Sequence, residues 1–340
     1  MKKTKAFLLL ISSLLSLLFV TACNEQEATQ NDSNTLNEEK LEIYTTIYPL
    51  AFFTSEIGGS YVDVTSILPA GADPHTFEPT SKMMVDIAEA DAFIYNGANL
   101  ESYADSIKDA LAEEDVRMIE AATELDLLAY SHHHSDDSEN ANSHEEEKGH
   151  GDTESDNNHE QDSHDHGDID PHVWLDPMLA IKLAETIKDE LITQIPKQEK
   201  TLEANYQKLA NKLTELDRTF HDTLKNGEKK EILVAHAAYG YWEKAYGIEQ
   251  IAITGLSSSD EPSQKEVEKI LEQVKEYGIN HLFFEQNVSS RLASVIQNEA
   301  GIKALHLHNL EVLTQKDIDN NETYFTIMNK NLKSLKKALE

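Results

Sequence analysis

Short apolar runs alternate with segments of helical spacing along most of this chain, and they do so in two separate sets. The first set is 41–46 (LEIYTT), 62–68 (VDVTSIL), 92–97 (AFIYNG) and 116–120 (VRMIE), with helical spacing between runs as at 82–90. The second is 232–236 (ILVAH), 250–254 (QIAIT), 281–286 (HLFFEQ) and 304–309 (ALHLHN), with helical stretches at 264–277 and 289–298. Strands that alternate with helices argue for a parallel sheet in an α/β domain. The expected fold is α/β, with two βα lobes of about four parallel strands each.

A long helical stretch separates the sets. Asp176-Pro177 is a strong start, with aspartate as cap and proline in the first turn. Pro196 breaks or kinks the helix. Beyond it, Leu202, Tyr206, Leu209, Leu213, Leu216, Phe220 and Leu224 step by four and three and mark one apolar face. Asn226-Gly227 ends it. Residues 198–225 would form a rod of about 40 Å at 1.5 Å per residue, able to brace two lobes. The expected organisation is a first lobe over 41–175, a linking helix over 176–228 and a second lobe over 229–340. Within the first lobe, 131–170 carries 8 of the 15 histidines and 14 acidic residues against one lysine. Too few apolar residues remain to build a core, so this segment is expected to be a disordered inserted loop.

The N-terminus bears on compartment. Lys2, Lys3 and Lys5 precede an apolar stretch at 6–20 that is interrupted by Ser12, Ser13 and Ser16. It is shorter than the roughly 20 residues a membrane span needs, and it reads as a signal peptide over 1–22. The small residues before Cys23 make a cleavage site of lipobox type, with Cys23 as first mature residue and lipid attachment point. Cys23 is the one cysteine of the chain, so no internal disulfide forms. Residues 23–40 are polar and are expected to be a flexible tether from that anchor. Cleavage removes three lysines and takes the net charge from −33 to −36. Such a chain repels nucleic acid and attracts cations.

Four residues stand where a cation site would form. His75 lies in GADPHTFEP, in a turn after the second apolar run. His172 lies in DIDPHVWLDP, between the insert and the linking helix. His236 ends the run ILVAH, and Glu311 follows ALHLHN. Open α/β sheets bind ligands at the carboxyl ends of their strands, and two facing lobes would let all four converge on a cleft. Three imidazoles and one carboxylate suit tetrahedral Zn²⁺, whereas Mn²⁺ prefers more oxygen. One carboxylate leaves such a site at net +1, which nearby acidic groups can soften. His306 and His308 are alternatives to Glu311, because on a strand they would share a face. His221 and His281 read as structural or solvent-facing.

The run Asp170-Pro171-His172-Val173-Trp174-Leu175-Asp176-Pro177, together with GADPHTFEP, IYNG, VAHAAYGY and EPSQK, resembles the metal-specific solute-binding lipoproteins of ABC transporters, in their zinc-binding branch. The likeness runs from about Leu41 to Glu340. It implies two βα lobes joined by a long helix, with zinc between them on His75, His172, His236 and Glu311. The manganese branch has a carboxylate where this chain has His236. The resemblance also implies a lipid-anchored protein on the extracytoplasmic face of the cell membrane. Its partners would be a membrane permease and, through Cys23, the bilayer; it would act as a monomer.

Capture rather than catalysis is the expected role. A catalytic zinc keeps an open position, which four ligands would close, and the HExxH helix motif is missing from the sequence. A surface adhesin that holds metal only for stability is the main alternative, and a manganese-binding counterpart is another. In the insert, His132, His133, His134, His164 and His166 offer weak, shifting metal sites that raise the local metal concentration. Deletion of 132–166 should leave one tight zinc per chain; a zinc titration in which the tight site vanishes would refute that assignment.

Overall fold

The computed structural model describes residues 40–130, 169–257, 260–286 and 290–340. The signal peptide, Cys23, the tether and the insert histidines His132, His133, His134, His164 and His166 lie outside the described residues. Two four-stranded parallel sheets form, one from each set of apolar runs. In the first, β1 (Leu41–Thr45), β2 (Val62–Ser66), β3 (Ala92–Tyr95) and β4 (Arg117–Glu120) stand in the order β2-β1-β3-β4. In the second, β5 (Glu231–Val234), β6 (Glu249–Ala252), β7 (His281–Phe284) and β8 (Lys303–His306) stand in the equivalent order β6-β5-β7-β8.

Most runs stop pairing one to three residues before their apolar stretch ends. His236, expected to end a strand, lies two residues past β5, and His308 lies two residues past β8. Past β8 the backbone of His308 is taken by a side chain instead of a strand: Asn331 accepts from the His308 N–H at 2.9 Å and donates to the His308 carbonyl at 2.8 Å.

The crossovers are helical. The first lobe carries α1 (Tyr48–Gly58), α2 (Ser81–Ala88) and α3 (Ala104–Ala110). The linking segment is two helices rather than one kinked rod. α4 (Pro177–Gln194) starts at the Asp176 cap, whose carboxylate accepts from Met178 N–H at 2.7 Å and Leu179 N–H at 3.3 Å. A single turn at Pro196–Gln198 reverses the chain into α5 (Glu199–Leu224), which packs along α4. Proline has no N–H to continue the ladder, and the Lys188 ammonium lies 4.9 Å from the Tyr206 ring, tying the two helices together. All seven apolar positions foreseen on α5 are buried.

The second lobe adds α6 (Gly240–Tyr246), α7 (Gln264–Glu276), α8 (Arg291–Ala300), α9 (Gln315–Asp319) and α10 (Tyr324–Leu339). α5 contacts α1 in the first lobe and α6 and α10 in the second, so one apolar core runs through both. The chain on either side of the insert closes on itself. Ala129 bridges Ile169, and the Asp170 N–H donates to the Leu128 carbonyl at 2.9 Å.

Candidate metal centre

The seam between the lobes is fixed by hydrogen bonds from large buried aromatics. After His172 the chain makes one tight turn, Val173–Leu175, wholly buried. Trp174 Nε1–H donates to the Asn309 carbonyl at 2.7 Å, Trp242 Nε1–H to the Leu175 carbonyl at 2.7 Å, and the Tyr324 hydroxyl to the Trp174 carbonyl at 2.6 Å. Each bond satisfies a polar group that would otherwise be buried unpaired. Together they hold the His172 segment against the second lobe.

His75, His172, His236 and Glu311 meet on this seam. One ligand atom from each lies within 4.8 Å of all the others. The ring centroids are 5.6 Å apart for His75–His172 and His75–His236, and 5.0 Å for His172–His236. Glu311 Oε1 is 3.3 Å from His75 Nε2 and 3.4 Å from His172 Nε2. None of these three atoms has an aligned hydrogen bond, although all are buried. Buried polar atoms are rarely left so, and three aimed at one point call for a shared partner.

Each side chain has a local cause for its placement. His75 follows a turn at Gly71, where φ is +77° and a side chain would be strained, and its N–H donates to Asp73 Oδ1 at 2.9 Å. Gly71 N–H also donates to the Leu313 carbonyl, which ties the His75 loop to the chain just beyond Glu311. Glu311 follows Leu310, which is held at φ +62°. This is a costly conformation for a leucine, maintained by a bond from its N–H to His308 Nδ1 at 2.9 Å. His308 therefore belongs to the turn that presents Glu311; its Nε2 faces Asp317 Oδ2 at 3.3 Å. His306 is exposed, with its ring 6.5 Å from that of Phe284. Neither of these alternatives joins the cluster. His221 is largely exposed beside Tyr246, and His281 sits at the start of β7.

Two carboxylates stand behind the rings. Asp170 Oδ1 accepts from both the N–H and Nδ1–H of His172, at 2.9 and 2.8 Å. Glu285, just past β7, accepts from Nδ1–H of His236 at 2.9 Å. His236 Nε2–H also donates to the Leu256 carbonyl at 2.6 Å. A carboxylate and a carbonyl only accept, so His236 carries a proton on each nitrogen here. Burial opposes that charge, but Glu285 outweighs it and pushes the ring up to about 10. Burial likewise opposes protonation of His172, and Asp170 and Glu311 raise it above the ordinary histidine value. Burial would raise Glu311, but the closely facing His172 and His75 rings hold it well below the usual carboxylate range. Glu285 carried no signal in the apolar pattern beyond being the first charge after a buried run. Asp170 lay in the motif without a role.

Two parallel-sheet lobes with a buried polar cluster at the carboxyl ends of their strands define a two-lobed α/β binding protein. Residues 43–338 match the family described as ZnuA, zinc-uptake complex component A periplasmic, and the chain belongs to that family. It is 35% identical over 322 residues to the high-affinity zinc uptake system protein ZnuA of Bacillus subtilis, covering 95% of this chain and 94% of that protein. It is also 35% identical over 336 residues to the zinc-binding lipoprotein AdcA of Streptococcus pneumoniae. That match covers 99% of this chain but 61% of AdcA, so the chain spans less than two thirds of that relative. The crystal structure of the Zn(II)-bound ZnuA-like domain of that AdcA superposes with a TM-score of 0.69 at 34% identity, over 88% of this chain and 99% of the domain.

Gly240, at the start of α6, lets Asp170 approach. A Cβ there would lie 2.5 Å from Asp170 Oδ2. Gly240→Ala should displace that carboxylate from His172 and weaken metal binding by about 10–100-fold, the usual loss when a ligand's outer partner is disturbed. A chelator-competition titration measures it.

Proposed function

We propose that this chain captures Zn²⁺ from the extracytoplasmic space and delivers it to an ABC-type permease. The observation that carries the reading is the convergence of His75, His172, His236 and Glu311, three of whose facing atoms are buried without hydrogen-bond partners. Three imidazole nitrogens and one carboxylate oxygen match the donor set of a closed, four-coordinate zinc site. The relatives named for zinc binding and zinc uptake support the cargo. Four protein ligands leave no position for an activated water, which supports capture over catalysis. Anchoring through Cys23, an extracytoplasmic location and action as a monomer belong to the same proposal. The lipoprotein relative supports the anchor and the location.

His172 and His236 are the most deeply buried of the histidine rings, and each is braced at Nδ1 by a carboxylate. They keep the nitrogen donors in place while the cation exchanges water for protein. A dissociation constant on the order of nanomolar would correspond to about −12 kcal/mol. With association at about 10⁷ per molar per second, spontaneous release would take on the order of a minute. Docking on the permease must then loosen the site for import to run faster.

Protein purified without added metal should carry one zinc per chain by mass spectrometry, and His236→Ala should lose most of it. An unchanged zinc content in that variant would overturn the ligand set. Binding should also tighten as pH rises. His236 holds its proton up to about 10, so zinc must displace it throughout the neutral range. The ordinary histidine value near 6.5 would confine this competition to acid pH. Affinity measured from pH 5 to 9 should therefore climb across the whole interval, and a plateau above pH 7 would contradict the assignment.

A further inference from the structure

We propose that Glu285 is a positioning residue for zinc: it grips His236 by Nδ1 and so leaves Nε2 as the one nitrogen that ring can offer the metal. The inference rests on the zinc reading above and assigns a role to a residue outside the four ligands.

The sheet itself creates the pair. β5 and β7 are neighbours, with Val234 opposite Phe283. Continued past the strand ends, that register brings His236 beside Glu285. The Ala235 N–H still donates to the Phe283 carbonyl at 3.0 Å, so the alignment persists beyond β5. The order β6-β5-β7-β8 makes this the point where chain connections leave in opposite directions, and crevices open at such points. Glu285 is buried, and among the described residues its ion-pair partner is His236. A carboxylate buried without Lys or Arg is costly unless it has such a partner.

The ring has two nitrogens and two claims on them. In the structure Nδ1 pairs with Glu285 and Nε2 with the Leu256 carbonyl. A neutral backbone oxygen is the weaker partner and is the one a cation can displace. Glu285 then stays on Nδ1 in both states. Without it, the ring is free to turn, to offer either nitrogen, or to remain on Leu256.

The test compares zinc affinity, by chelator competition, in the full mature chain and in Glu285→Ala, Glu285→Gln, His236→Ala and the Glu285→Ala/His236→Ala double variant. Glu285→Ala should weaken zinc binding by about 10–100-fold. Glu285→Gln should recover most of that loss, because its side-chain oxygen still accepts from Nδ1–H. Once His236 is gone, Glu285→Ala should change affinity by less than about twofold, since a pair that acts as a unit is not additive. Long-range ¹⁵N–¹H spectra of the zinc-bound chain should show the His236 proton on Nδ1 in wild type and in Glu285→Gln. Unchanged affinity in Glu285→Ala, an equal loss with and without His236, or a zinc-bound ring protonated at Nε2 would each overturn the role. If Glu285→Ala does not fold, the Glu285→Gln spectrum still decides. Failure of wild type to bind zinc, or indifference to His236→Ala, would instead count against the zinc reading itself.

Discussion

The whole arrangement depends on keeping the Glu311 carboxylate buried among three imidazoles. Isolated in a protein interior, such a charge would be far too costly, and it would take up a proton. It stays ionised because His75 and His172 stand within 3.4 Å of it. Those two rings come from the first lobe and Glu311 from the second, so the electrostatic requirement is met only when the lobes are joined. The seam supplies the joining. Trp174, Trp242 and Tyr324 bury large apolar area and each spends its polar atom on a backbone carbonyl near His172 or Glu311. The α5 helix closes the far side of the same core, so lobe packing and site geometry are one problem rather than two.

The equivalent order of the two sheets explains where the polar groups collect. In each, a first strand lies between the second and third, and the carboxyl ends of the first and third strands stand side by side. The second lobe uses this place for His236 and Glu285. The first lobe uses it for a structural carboxylate. Glu101 is buried and accepts from the Thr46 hydroxyl after β1 and from the Asn96 and Gly97 N–H groups after β3, at 2.6, 2.8 and 3.0 Å. Asn96 in turn donates to the Pro171 carbonyl at 3.0 Å, one residue before His172. One lobe thus holds a ring directly from its switch point, and the other steadies the His172 segment through an asparagine.

Local chemistry made much of this legible in the sequence. Eight apolar runs, the Asp176-Pro177 start and the stepped leucines of α5 each carry their meaning in a few adjacent residues. Pro196 was legible as a break, but the reversal it permits was not, because a fold-back is decided by what α4 can pack against. The fourth cluster member remained open between Glu311, His306 and His308 for a similar reason. The choice depends on Leu310 adopting a left-handed conformation, and nothing in a leucine favours one. Glu285 was the hardest to see. Its partner is 49 residues away, and only the strand register brings the two together.

Charge balance ties these residues into one account of exchange. A zinc ion with Glu311 alone would leave a buried site at +1. Asp170 and Glu285 bring the carboxylates to three, which with Zn²⁺ leaves −1. Without metal, Glu285 favours a proton on His236, and Asp170 and Glu311 favour one on His172, so the same carboxylates draw positive charge onto the rings. On the proposed reading, the divalent cation takes over from ring protons as the partner of the buried carboxylates. The desolvation cost of the three carboxylates is then met by protons when the metal is absent and by the metal when it is present. The two outer carboxylates therefore keep a partner in either state, a protonated ring or a ring bound to the cation, and hold the rings aimed throughout.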